Sequence, residues 1–476
     1  MDQGSSVTGI DGWPAGFVTG ADRARFGRYA EALAFYDGEQ WTGRPRRGET
    51  RLTFNYARSL VRKIASYIYP APVTFAVPVP EGSTDAAASR AERLLAATID
   101  DLDLARLDVE LCVDAMVLGD AAIKVTWDVT AGRPAVAAVD PATLVAWTAP
   151  DDPRRLERVA QCYRLPGAAI PASLGGRPGM ERHGERPRTA NLEGLDPNRG
   201  YAVVEEWTTA RWRVRVAGQV VLDGPNPYGW IPYLIAPNAP RPHDFWGVSD
   251  LTDLVDVCRE LNARMSVLSR VLELSGAPIA VLENVDGSEG ITVGPGAKWE
   301  LPEGAKAYLL DLLSGGGVGL HVEFLNLLYR ALHDLSETPR TAFGDSGRDL
   351  SGAALEVEIQ PLVQKVQRKR RGWDALHRGR NALLFDLLER FGGADAGGLR
   401  RTLTIWPSVL PSDKETAVRN AASLVAGGIQ SRRTAVATLG ANDPEAEFGR
   451  VIEEARLLAT IDGSSPAAPV EEEVGA

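Results

Sequence analysis

A Gly/Ser/Asp string in the second half of the chain has residue types that some enzymes use for acyl transfer. Gly344, Asp345, Ser346 and Gly347 reproduce the order found around the nucleophile of trypsin-type serine hydrolases. Such an enzyme also needs a histidine base, a buried aspartate and a β-barrel that holds them together. The string lies between two helical patterns, and none of the five histidines has a fitting context. A hydrolase that uses Ser346 is therefore the weaker alternative.

No other segment has a pattern typical of catalysis or of metal binding. Residues 294–298, GPGAK, lack the spacing and the Ser/Thr of a phosphate-binding loop. His321 and His333 do not combine with nearby glutamates into a metal-ligand spacing. The three cysteines have no CxxC spacing, which argues against a zinc site and a disulfide framework. We expect no catalytic residue, no metal and no cofactor.

A cluster of basic residues follows the string, in a chain that is acidic as a whole. The cluster comprises Lys365, Arg368, Lys369, Arg370 and Arg371. The chain has 52 Lys and Arg against 63 Asp and Glu, a net charge of −11, so nucleic-acid contact over the whole surface is excluded. The cluster faces phosphates, pairs with acidic groups of a neighbouring subunit, or forms a solvated helix face. We favour pairing between subunits.

The elements that must position these residues indicate an α+β protein. Helical patterns cover 21–36, 55–69, 85–102 and 105–118. Strand-like segments follow up to about residue 224, and the next segment, PNPYGWIPYLIAPNAPRP, is too rich in proline for a helix. Residues 166–199 are rich in Gly, Pro and Arg with little apolar periodicity, and they indicate a surface insertion.

Two long helical patterns enclose a small β-containing stretch. The first begins at Ser249, a potential helix cap, and ends before Pro278, and the second runs from about 320 to 337. Apolar residues recur along both at steps of three and four, a spacing typical of helices that pack side by side. These residues are Leu251, Leu254, Leu261, Met265, Leu268 and Leu272 in the first pattern and Phe324, Leu328 and Leu335 in the second.

A third helical pattern runs from near Ser351 to about Phe391, and we expect Pro361 to interrupt and kink it. Shorter helices follow from Ser412, and residues 462–476 are predicted to be a disordered acidic tail. The first residues lack the pattern of a signal peptide, and no stretch has eighteen uncharged apolar residues. We therefore expect an unexported chain without a membrane span.

Four segments, in this order, carry a resemblance to a known family. They are NYARSLVRKIASYIYPAPVTF, WGVSDLTDLVDVCRELNARMS, DLSGAALEVEIQPLVQKVQRKRRGW and GGIQSRRTAVATLGANDPEAEFGRVIEE. The sequence resembles portal proteins of long-tailed bacteriophages over nearly its full length. No segment is an invariant catalytic string, so the order of the parts carries the resemblance.

The resemblance implies a ring of about twelve copies at one capsid vertex, through which double-stranded DNA passes during packaging and ejection. It implies the terminase large subunit, a head-tail adaptor and the major capsid protein as partners, and no membrane. The expected location is the virion, with the host cytoplasm during assembly. A helical scaffold or adaptor without DNA passage is the structural alternative.

The resemblance also implies a division of the chain into parts. These are a wing at 1–246, a first stem helix at 247–276, a clip at 277–319, a second stem helix at 320–338, a tunnel loop at 339–350, and a kinked long helix with a crown at 351–461. In the tunnel loop, Arg340, Phe343 and Arg348 would touch the DNA backbone. Asp345 and Asp349 would limit the net attraction, and Gly344 and Gly347 would allow tight or changing turns.

Overall fold

The described part of the chain is a mixture of helices and antiparallel sheets, so the predicted α+β class is confirmed. The computed structural model describes residues 12–79, 85–171, 195–276, 279–284, 303–310, 317–345, 352–410, 414–439 and 444–461. They fall into two units, one up to Pro407 and one from Ser408 onward. The predicted tail at 462–476 lies outside the described residues.

Four helices near the start of the chain follow the predicted pattern within one residue at each end. They are α1 (Gly20–Asp37), α2 (Tyr56–Ile68), α3 (Asp85–Asp101) and α4 (Leu104–Leu118). A capping box starts α1, because the Thr19 hydroxyl accepts from the Asp22 amide while the Asp22 carboxylate accepts from the Thr19 amide. Gly38, with φ +105°, ends the same helix in the left-handed conformation.

Two antiparallel sheets follow α4. The three-stranded sheet has the order β3-β2-β9, and the five-stranded sheet runs β4-β5-β6-β7-β8. The strands are β2 (Asp120–Asp128), β3 (Arg133–Val139), β4 (Leu144–Ala149), β5 (Asp152–Pro166), β6 (Gly200–Thr208), β7 (Arg211–Val216), β8 (Gln219–Pro225) and β9 (Tyr233–Pro237). The predicted insertion joins β5 to β6, and Pro166 pairs with Gly200, so the chain leaves and re-enters the sheet at adjacent positions. Residues 172–194 of it lie outside the described residues.

Long helices dominate the second half of the first unit. They are α5 (Val255–Gly276), α6 (Gly317–Leu335) and α7 (Gly352–Arg390). Between α5 and α6, β10 (Ile279–Glu283) pairs antiparallel with β11 (Lys306–Leu310). A short 3-10 helix, Arg340–Phe343, precedes α7, and β1 (Thr74–Ala76) pairs with β12 (Leu403–Ile405). The second unit has α8 (Lys414–Ala426), α9 (Arg432–Thr438) and α10 (Pro444–Ile461).

Two details of the long helices differ from the sequence prediction. The first stem helix begins at Val255 and not at Ser249, because the Ser249 hydroxyl is used to bond the Met116 carbonyl and the Leu251 amide. The third helix runs for 39 residues through Pro361 without a break. Pro361 has no amide hydrogen, so the Val357 carbonyl lacks its helical donor. Val357 lies on the exposed side of the helix, where a water molecule can donate to this carbonyl instead.

A close backbone approach fixes the entry to the first stem helix against α4 and β2. A Cβ built on Gly247 would lie 2.3 Å from the Gly119 carbonyl oxygen and 2.8 Å from the Asn238 amide nitrogen. The Gly247 amide donates to the buried carboxylate of Asp120 at 2.8 Å. Tyr29 of α1 donates to the same carboxylate at 2.5 Å. The chain can therefore enter the stem in this way only with glycine at position 247.

We expect Gly247→Ala to lower the free energy of unfolding by about 1–3 kcal/mol, because the added methyl group overlaps backbone atoms that cannot rotate away. Urea unfolding followed by circular dichroism measures this change. Gly27→Ala is the control, since a Cβ there meets nothing within 4 Å and the residue lies inside α1. An equal loss in both variants would contradict the close approach.

Candidate functional site

The stem, defined here as α5 and α6, is partly covered by the chain itself. The two helices contact each other, and α2 also packs against α5. Of the predicted seam, Leu251, Leu254 and Leu261 are buried within the chain. Met265 and Leu268 are half-buried, and Leu272 is 52% exposed. The seam is therefore internal near the start of the stem and open toward its far end.

The buried face of the second stem helix differs from the predicted one. Leu325 and Leu332 are buried, while Phe324 and Leu335 are exposed and Leu328 is half-buried. Because apolar residues cover more than half of the circumference of α6, the spacing alone could not select which part of that wide apolar side packs. Among the stem side chains that the structure describes, the exposed large apolar ones are Val267, Leu272, Leu320, Val322, Phe324, Leu327 and Leu335.

Polar contacts hold segment 40–54 along α5. The Leu52 amide donates to the Ser266 hydroxyl at 2.9 Å, and the Phe54 amide donates to the Asn262 side chain at 2.8 Å. The Asn262 amide group donates to Gln40 at 2.6 Å. Asn262 and Ser266 are buried, and buried polar side chains need hydrogen-bond partners, which segment 40–54 supplies here. Because α5 also carries several charged residues, its sequence alone could not single out these two positions.

The described part of the predicted tunnel loop is docked against the protein. Arg340 forms an ion pair with Asp345 and lies 5.1 Å from the centre of the Tyr329 ring. Phe343 is partly exposed beside Lys63 of α2. Gly344 has φ +83° and ends the 3-10 helix. Gly347, Arg348 and Asp349 lie outside the described residues.

His333 holds the base of this loop. Its Nδ1 lies 2.6 Å from the Thr338 carbonyl oxygen, and since a carbonyl only accepts, Nδ1 carries the proton. The ring meets Tyr329 edge-on at 4.6 Å and Phe343 at 5.6 Å between centroids. Burial lowers the pKa of His333 below its ordinary value of 6.5. The His333 ring is therefore neutral when the loop is docked.

We expect acid to weaken this docking. Because the folded-state pKa of His333 lies below its ordinary value of about 6.5, its contribution to stability is complete above that pH and is lost as the pH falls through the folded-state pKa. Between about pH 7.5 and about pH 5, His333→Phe should therefore lose less unfolding free energy in urea titrations than the unchanged chain. Parallel pH profiles of the two proteins would contradict this assignment.

Two lysines of the basic cluster share one buried carboxylate. Lys369 lies 2.9 Å from Asp250 and donates to the Asn238 side chain at 2.6 Å. Lys365 lies 3.6 Å from the same carboxylate and donates to the Ser336 carbonyl at 3.0 Å. This charged junction therefore joins the end of β9, the entry to α5, the end of α6 and the long helix α7.

The pKa values in the junction follow from burial and charge. Burial alone would raise the pKa of Asp250, but Lys369 and Lys365 hold it below its ordinary value. Burial lowers the pKa of Lys365 despite the attraction of Asp250. Two ammonium groups thus compete for one carboxylate, and the more distant one is only partly compensated.

The remaining basic residues divide into buried and exposed. The Arg370 guanidinium donates to the carbonyls of Ile68, Tyr67 and Pro407, and so it caps the C-terminal end of α2. Arg368 is exposed and paired with Glu337, and Arg371 is exposed. The favoured hypothesis of pairing between subunits does not hold for Lys365, Lys369 and Arg370, because their partners lie in the same chain.

The geometry gives no support to the hydrolase alternative. His377 is fully buried and lies 3.3 Å from Asp108, but the rings of Tyr69, Trp373 and Trp406 surround it, so no substrate can reach it. Ser346 lies outside the described residues. Within the described ranges, no group of three or more His, Cys, Asp or Glu side chains is placed to hold a metal ion. In the same ranges, no helix is both long enough and apolar enough to cross a membrane.

Comparison with known proteins gives a match to part of the second half of the chain. The search of curated proteins gave no match. One family model matches, and its range begins in α6 and includes the docked loop, α7, the basic cluster and nearly all of α10. Residues 1–320 lie outside this range. Through residues 321–458 the chain matches the family "Phage portal protein, SPP1 Gp6-like", and this match supports its recognition as a phage portal protein.

Proposed function

We propose that the chain assembles with copies of itself into a ring at one capsid vertex, through which double-stranded DNA enters and leaves the phage head. The family match supports a portal role, which is structural and not enzymatic. In this proposal the terminase large subunit docks during packaging, a head-tail adaptor docks later, and the major capsid protein surrounds the ring. The division into wing, stem, clip and crown is part of the proposal, with the stem helices at the observed bounds of α5 and α6.

The observation that carries the proposal is the exposed apolar surface of the stem. Leu320 is 68% exposed and Leu327 is 59% exposed, and both lie on α6 within a row of further exposed apolar residues. A monomeric soluble protein rarely exposes a contiguous apolar row, and such rows mark contacts with other proteins. A second copy of the stem offers the same apolar residues, so a ring of copies is a direct way to cover them.

Charge and loop structure are consistent with a conduit. A ring multiplies the net charge of −11 per chain, and the resulting repulsion from phosphates favours passage over adhesion. The ion pair between Arg340 and Asp345 limits the attraction of the described loop residues for DNA. The proposed contact of the loop with the DNA backbone therefore falls mainly to Phe343 and the loop backbone.

Mass measurement of the purified protein tests the proposal. A closed ring of about twelve copies with a central opening, seen by native mass spectrometry and electron microscopy, is the expected result. A stable monomer at micromolar concentration would contradict the ring. A closed assembly without an opening wide enough for duplex DNA would instead favour the helical scaffold.

A further inference from the structure

Two helices that pack together contain a stretch with basic residues and no acidic ones. Residues 56–68, which form α2, include three basic residues, and residues 359–373 of α7 include five, while neither range contains Asp or Glu. The two helices are in contact, and Arg370 of α7 bonds the last carbonyls of α2. The chain as a whole has a net charge of −11, whereas these two ranges carry only positive charges.

Only some of these cations have partners in the chain. Lys365, Lys369 and Arg370 are buried, as described above, and Arg58 pairs with Asp37 at 3.0 Å. Arg368 pairs with Glu337, so Arg62, Lys63 and Arg371 remain. Arg378 lies two turns beyond Arg371 on the same side of α7, and the half-buried Asp374 between them accepts a hydrogen bond from Trp406. We define the basic surface as Arg62, Lys63, Arg371 and Arg378.

The basic surface has no acidic partners among the described residues. Arg62, Arg371 and Arg378 are exposed, and no described carboxylate lies within ion-pair distance of them. Lys63 is half-buried, and its ammonium lies over the Tyr67 and Phe343 rings at 5.8 and 5.6 Å. These cations are therefore available to an external anion.

The side chains around the basic surface distinguish it from a protein interface. Ser59 and Ser66 are exposed on α2, and Gln364 and Gln367 are exposed on α7. The described exposed large apolar residues include none on α2, and on α7 they are Leu355 and Val357, both in its first two turns. The core of a protein interface is apolar and aromatic, as the stem surface is, whereas phosphate contacts use Arg, Lys, Ser and Gln.

We propose that the basic surface contacts the phosphate backbone of duplex DNA. The proposal rests on the proposed function, which brings duplex DNA to the chain, and it adds the residues that touch the DNA. Arg371 and Arg378 are two helical turns apart, roughly 10.5 Å along the axis, which equals about three base-pair steps of one strand. One helix face can thus meet several phosphates of the same strand without reading the sequence.

The proposed contact between the basic surface and DNA is weak because of the charge around it. Four cations per chain stand in an acidic protein, so the attraction is local and the surrounding charge opposes it. Each phosphate contact releases condensed counterions, which makes binding steeply dependent on salt. Such a contact orients a moving duplex at low energy cost and does not hold it at one place.

Salt titration of DNA binding tests the proposal on the full chain. The probe is a fluorescent duplex of about 30 base pairs, and anisotropy gives the affinity between about 25 and 200 mM NaCl. The variants are Arg62→Gln/Lys63→Gln and Arg371→Gln/Arg378→Gln. Each pair is expected to reduce the slope of log affinity against log salt by about 1.8 and to weaken binding roughly tenfold at the lowest salt.

Arg154→Gln/Arg155→Gln is the matched control, because it removes the same charge from exposed positions on β5. The control should keep the slope of the unchanged chain. Equal slopes in all four proteins would overturn the proposal. Loss of ring assembly with an unchanged slope would also overturn it, and would identify a surface between subunits.

Ring assembly and DNA binding by the basic surface are measured in separate experiments. Native mass spectrometry on the same samples reports assembly and therefore the proposed function. If the unchanged chain stays monomeric, the proposed function fails while the salt slopes still decide whether the basic surface binds DNA. If rings form and package DNA with unaltered slopes in the variants, only the inference about the basic surface fails.

Discussion

Asp250→Asn is expected to lower the free energy of unfolding by about 3–5 kcal/mol, because it leaves two buried ammonium groups without their carboxylate. Lys369 loses a partner at 2.9 Å and Lys365 loses one at 3.6 Å. Thermal and urea unfolding of the purified protein measure the loss. Asp253→Asn is the matched control, since this aspartate is exposed three residues further along the chain.

A second substitution separates the charge effect from other causes. Adding Lys365→Met to Asp250→Asn removes the more distant uncompensated ammonium, so the double variant should be more stable than Asp250→Asn alone. A further loss on adding Lys365→Met would contradict the account of two lysines competing for one carboxylate.

The loss of stability at acid pH gives an independent measure of the contribution of the Asp250 carboxylate. Because the folded-state pKa of Asp250 is below its ordinary value, the contribution of the carboxylate is complete above about pH 4 and is lost as the pH falls through the folded-state pKa. Asp250→Asn should therefore show a flatter decline of stability below about pH 4 than the unchanged chain. The two curves should run parallel at neutral pH.

Leu327→Asp is expected to abolish ring assembly while leaving the fold of the chain intact. The side chain is 59% exposed, so a carboxylate costs little in the isolated chain. In a ring the same carboxylate would be buried against an apolar neighbour without a partner, which costs several kcal/mol at every interface. Native mass spectrometry should show monomers, and circular dichroism should be unchanged.

The control for this substitution lies away from the stem. Val129 is 46% exposed near the turn between β2 and β3, and Val129→Asp makes the same kind of change there. Rings of normal size are expected from Val129→Asp. Rings of normal size from Leu327→Asp would show that the apolar row of the stem faces water in the assembly, and would remove the main support for the proposed function.

Local signals in the sequence were sufficient to predict most helices. The helical patterns at 21–36 and 55–69 placed α1 and α2 within one residue of their observed ends. The insertion between β5 and β6 was visible from composition. These features depend on neighbours in the chain, which a sequence shows directly.

The partners of the charged residues could not be predicted in the same way. The sequence predicted a helix start at Ser249, beside Asp250, and it placed Lys365 and Lys369 in a basic cluster for which we favoured pairing between subunits. Their pairing depends on Asn238 and Ser336, which come from two other elements. The packing face of α6 was also missed, because a helix that is apolar on most sides has no single preferred face.

The contact between segment 40–54 and α5 has a consequence for dissecting the protein. A fragment that starts at the first long helix would lack the main-chain amides of Leu52 and Phe54, so Asn262 and Ser266 would turn to water instead. An excised helical hairpin is therefore an unsuitable substitute for the intact subunit in reconstitution. Asn262 and Ser266 would be exposed on its surface, whereas both are buried in the complete polypeptide.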